Sequence, residues 1–119
     1  MAYFNSSAMV PEVEAAHFSR VCAPGFPDLS EDAIKSSGYV IDTLEAALWC
    51  LLQGGSFSDI TLRAINLGGD TDTTGCVTGG LAGLMHGRRS IPSAWLDTLP
   101  PHEGLNTLLP AFVEACLKT

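Results

Sequence analysis

The stretch YVIDTLEAALWCLLQGG, residues 39–55, constrains the fold more than any other. Val40, Leu44, Ala47, Leu48 and Leu51 recur at three- and four-residue steps, the period of a helix face rather than the alternation of a strand. Gly54 and Gly55 then stop it, as glycine does just beyond a helix end. The rest of the chain repeats this grammar. Pro11 opens PEVEAAHFSRVCA with acidic residues in the first turn, and PGFPDLSEDAIKSSG is a loop leading into a short helical turn capped by Ser30. Ser56 and Asp59 have capping-box spacing ahead of FSDITLRAINL. A further helix begins near Asp72 and runs to Gly87, and Pro92 starts PSAWLDTL. EGLNTLLPAFVEACLK closes the chain, with Pro110 expected to kink or break it. No period-2 segment is present, so an all-α protein is expected, with residues 1–119 as a single helical domain.

Composition narrows the function classes. With 46% hydrophobic and 16% charged residues, 119 residues can bury one core and do not resemble a disordered segment. Six basic residues against thirteen acidic give a formal charge of −7 without any basic stripe, which argues against nucleic acid as a partner. MAYFNSSAMVPEVEAAHFSR lacks a basic start followed by an apolar core, so no signal peptide is expected. No apolar run nears the roughly 18 residues of a membrane span, and a cytoplasmic location without membrane contact is expected. Cys22, Cys50, Cys76 and Cys116 form no C-x-x-C pair and read as buried small hydrophobes in a reducing compartment.

Two features look functional. Gly75, Gly79, Gly83 and Gly87 lie four apart, on one helix face, at roughly 1 kcal/mol each relative to alanine. Such a face admits either a close-packed helix or a ligand. Just before it, NLGGDTDTTGC, residues 66–76, sets Asp70, Asp72, Thr73 and Thr74 behind a glycine pair. Crowded carboxylates repel, and two of them with a hydroxyl suit Mg²⁺, Mn²⁺ or Ca²⁺ better than zinc. The plainer alternative is that Asp72 or its neighbour caps the following helix. An EF-hand is excluded, because its twelfth position would be Leu81 instead of a bidentate glutamate.

SGYVIDTLEAALWCLL, AINLGGDTDTTGCVTGGLAGLMHG and IPSAWLDTL together resemble the C-terminal part of the ADP-ribosylglycohydrolases, over residues 36–99. The resemblance implies an all-α fold and a pair of Mg²⁺ or Mn²⁺ ions, with Asp70, Asp72 and Thr73 matching the family's metal ligands. Tyr39 matches the tyrosine that lies along bound ADP-ribose. It further implies hydrolysis of the glycosidic bond joining ADP-ribose to an acceptor. The family's second group of ligands comes from an N-terminal Ser/Thr-Asp-Asp motif, and this chain has no Asp-Asp pair. No catalytic residue is therefore assigned. Two readings stay open: a hydrolase whose missing half-site comes from a complementing N-terminal half or another copy in a homo-oligomer, or a truncated, non-catalytic helical module for assembly or weak ADP-ribose or metal binding.

The remaining candidates have plainer roles. His17, His86 and His102 show no catalytic spacing and suit surface or helix-end positions. Asp42 and Glu45 share a helix face and could reach the acidic loop, but a helix-start or solvent-facing role is expected. Trp49 and Trp95 are expected in the core.

Overall fold

The computed structural model describes residues 11–118; the first ten residues, on which the reading of the N-terminal segment largely rests, and Thr119 lie outside them. Every regular element among the described residues is helical. The α-helices are α1 (Glu12–Ala15), α2 (Val40–Leu52), α3 (Phe57–Asn66), α4 (Thr71–His86), α5 (Ser93–Thr98) and α6 (Glu103–Leu117).

The core is α4 packed against both α2 and α3. α3 begins as its sequence requires: the Ser56 hydroxyl accepts the Asp59 N–H at 3.1 Å, and Asp59 accepts the Ser56 N–H at 2.9 Å. These two bonds satisfy donors that the first helical turn leaves unpaired. The α2 end is closed from outside, by Arg63, which donates to the Cys50 and Gly54 carbonyls at 2.8 and 2.9 Å. Phe57, Ile60, Thr61 and Ala64 then form the buried face of α3.

Several expectations need correcting. The buried residues of α2 are Thr43, Glu45, Ala46, Ala47, Trp49 and Cys50, while Val40 is 69% exposed and Leu44, Leu48 and Leu51 only partly covered. The buried set mixes small residues with Trp49 and Glu45, so burial on α2 does not follow its leucine stripe. Glu45 does not face solvent: it is 7% exposed and pairs with Arg20 at 3.7 Å. Arg20 also donates to the Ala33 carbonyl, tying the N-terminal loops to α2. The expected helix from Pro11 shrinks to α1 followed by a 3₁₀ turn at Ala16–Phe18. Ser30 precedes a 3₁₀ turn but its hydroxyl caps nothing.

Of the glycine face, Gly75 looks onto Ile65 and Gly83 onto Phe57, so at these two positions it packs against α3, while Gly79 between them has nothing within 4 Å. Gly87 does not belong to it; at φ +83° it terminates α4. Trp49 is buried, with its indole N–H on the Leu29 carbonyl at 3.0 Å, and Trp95 packs at the core's edge against Phe57. Cys50 is buried and Cys22 half-buried, but Cys76 and Cys116 are exposed. No disulfide links the described cysteines.

α6 runs unbroken through Pro110. Proline removes one donor, to the Asn106 carbonyl, and on an exposed helix water can take that carbonyl. No α6 residue is buried, and Leu105, Leu108, Leu109, Phe112, Val113 and Leu117 stand out from one side of it. No helix among the described residues is long and apolar enough to cross a membrane.

Candidate functional site

The acidic loop is held by a segment more than thirty residues earlier in the chain. Residues 36–39 form a turn leading into α2, and the Ser36 carbonyl accepts the Asp70 N–H at 2.8 Å. The Ser36 and Thr74 hydroxyls are 2.7 Å apart, which joins the same turn to the first coil of α4. Gly69 makes this possible: at φ +65° it takes a conformation that side chains resist, and a Cβ there would lie 2.1 Å from the Ser36 carbonyl oxygen. Ser37 anchors the other side of the turn, donating to Asp42 at 2.6 Å and accepting the Tyr39 N–H at 3.1 Å. Asp42 thus keeps the helix-start role expected of it.

At the head of α4, Asp70 occupies the N-cap position, its carboxyl within the influence of the Thr73 N–H, and Asp72 accepts that same adjacent N–H at 2.9 Å. The Asp70 carboxyl is held below the usual carboxylate range, first by hydrogen bonding with the Asp72 carboxyl and then by the Thr73 hydroxyl. The positive end of the α4 dipole favours their negative charge as well. Asp72 and Thr73 are exposed and Asp70 is partly covered, so the group opens to one side. Tyr39, 54% exposed, stands at the end of the neighbouring turn.

These donors are hard oxygens, the chemistry of Mg²⁺ or Mn²⁺ sites. Among the described residues no group of three acidic, histidine or cysteine side chains could enclose a metal. Asp70, Asp72 and Thr73 present two carboxyls and a hydroxyl of that chemistry at one helix head. Ser36, Ser37, Gly38 and Thr74 belong to the same constellation. Their part rests on contacts across the chain; Ser37, Gly38 and Thr74 are marked only by their place in the SGYV and DTDTTG blocks, and Ser36 stands just ahead of the first.

A helical core with a G-G-D-T-D-T loop at a helix head defines the class, and comparison with known proteins agrees with it. Residues 3–118 match the family model for ADP-ribosylglycohydrolase, and the chain belongs to that family. It is 45% identical over 83 residues to an ADP-ribosylarginine hydrolase, Tri1, of Serratia proteamaculans, covering 70% of this chain and 23% of that protein. Its similarity to the ADP-ribosyl-[dinitrogen reductase] glycohydrolase of Rhodospirillum rubrum is 40% over 65 residues, 55% of this chain and 22% of the other. A second Tri1, from Pseudomonas putida, is 46% identical over 68 residues, 57% of this chain and 18% of its own length. The matched region spans less than a quarter of each of these relatives.

Proposed function

We propose that this chain carries the cation- and nucleotide-facing portion of an ADP-ribosylglycohydrolase, hydrolysing the glycosidic bond between ADP-ribose and an acceptor side chain. The observation that carries the reading is the convergence of Asp70, Asp72 and Thr73 at the head of α4, beside the turn bearing Tyr39. In this reading Asp70, Asp72 and Thr73 hold Mg²⁺ or Mn²⁺. A bound ion of this kind orients ribose hydroxyls and makes a nearby water easier to deprotonate. The chain's own carboxylates also place negative charge where positive charge builds on the sugar during cleavage. Tyr39 offers an exposed ring face to the nucleotide. The remaining ligands are supplied from outside these residues, since a hard cation wants about six oxygens.

Because two relatives are named for ADP-ribosylarginine, an arginine-linked peptide is the first substrate to try. Mn²⁺-dependent release of ADP-ribose is measured for the chain alone and mixed with the N-terminal part of the Serratia relative. Release in the mixture, lowered at least about a hundredfold by Asp70→Asn, is expected. The second reading, a non-catalytic binding module, is favoured by the one-sided donor set. Binding of Mn²⁺ and ADP-ribose with no release in either arm would select it, and absence of both binding and release would remove the enzymatic reading.

A further inference from the structure

We propose that Gly38 is a positioning residue, whose missing side chain is the seat of the Asp70 carboxylate and couples the cation loop to the turn that carries Tyr39. The inference rests on the reading above of Asp70 as a cation ligand and Tyr39 as a nucleotide contact. A Cβ added at Gly38 would meet Asp70 Oδ2 at 2.9 Å, closer than real side-chain carbons approach. Gly38 is not among the glycines with positive φ, so space and not backbone conformation requires glycine here. The obstacle is the free end of a flexible side chain, which an alanine would push aside while the fold stays intact. Gly69 is the opposite case, where the obstacle is the Ser36 backbone and φ is +65°.

The contact at Gly38 belongs to a closed circuit. Ser36 holds the Asp70 N–H and the Thr74 hydroxyl on one side of the turn, and Ser37 holds Asp42 and the Tyr39 N–H on the other. Gly38 follows directly on those two anchorages, beside Tyr39 in the chain and against the Asp70 carboxylate in space. A cation that fixes the Asp70 carboxylate therefore fixes the turn beneath it. A nucleotide resting on Tyr39 fixes the same turn from above. Each ligand lowers the ordering cost of the other, and the effect is reciprocal by thermodynamic linkage.

Calorimetric titration of the full chain with Mn²⁺, with and without ADP-ribose, reads this directly, and the Mn²⁺ electron paramagnetic resonance spectrum gives an independent occupancy. In the wild-type chain ADP-ribose is expected to tighten Mn²⁺ binding at least about fivefold, and Mn²⁺ to tighten ADP-ribose by the same factor. Gly38→Ala is expected to weaken Mn²⁺ about tenfold and bring the coupling factor close to one, with an unchanged thermal midpoint. Gly25→Ala, at a glycine with nothing within 4 Å, is the silent control. Ser36→Ala, which deletes the link to Thr74 without adding an atom, should move Mn²⁺ affinity in the same direction and keeps the question decidable if Gly38→Ala does not fold. A wild-type chain that binds Mn²⁺ while both variants match it in affinity and coupling overturns the inference and leaves the proposed function standing. A wild-type chain that binds no Mn²⁺ in the presence of ADP-ribose overturns both.

Discussion

In α3, Phe57, Ile60 and Ala64 lie at helical spacing and are buried; in α6, Leu105, Leu108, Leu109, Phe112 and Val113 lie at the same spacing and every one is exposed. The two stripes are alike as patterns and differ in what faces them. α3 meets the glycine surface of α4, where Gly75 and Gly83 let Ile65 and Phe57 approach closely. α6 forms none of the helix packings that build the core. A helical apolar period therefore specifies a helix and its sticky side, and burial follows only where the chain also provides a surface to receive that side. Apolar surface on the scale of α6 is characteristic of interaction sites.

The sharpest challenge to this contrast is a pair of truncations. Ile60→Ala, at a fully buried position, is expected to lower the unfolding free energy by about 2–5 kcal/mol in urea, followed by tryptophan fluorescence. Leu108→Ala on α6 should change it by less than about 0.5 kcal/mol, and equal losses would break the distinction. Next in size is the alkaline response of the core. Burial pushes the Cys50 thiol up from 9.0 to about 11, against a smaller opposing pull from Arg63. The folded chain keeps that proton where the unfolded chain has lost it, so this stability is complete below pH 9 and is lost as pH rises toward about 11. The urea midpoint should fall across that window in the wild type and much less in Cys50→Ala. Smallest is the cap of α3: Ser56→Ala should cost about 1 kcal/mol, whereas Ser30→Ala, whose hydroxyl caps nothing, should be near neutral in the same assay.

What could be read from the residues alone was mostly local. Gly54-Gly55, Gly68-Gly69 and Gly87 mark helix ends, and Ser56 with Asp59 marks a start, because each acts within one turn of the chain. The helical class and the family followed from these blocks and from GGDTDTTG. The rotation of α2 did not follow, since a helix packed on several sides buries more than one stripe, here including Trp49 and Glu45. Glu45 was unreadable for the same reason: its partner Arg20 lies in a loop whose path no local rule predicts. Burial of Cys76 and Cys116 failed because residue type gives an average and the facing surface decides the case. In the candidate site, Asp70, Asp72, Thr73 and Tyr39 stand out as motif residues. The seat at Gly38 and the Ser36–Thr74 link appear only once distant segments are brought together.

The bond from the Asp70 amide to the Ser36 carbonyl has a consequence for how the protein comes to be folded. It closes a loop that contains all of α2 and α3, so it gains nothing until both helices have found their places against α4. Slow amide exchange at Asp70 would accordingly report that α2 and α3 are both docked on α4.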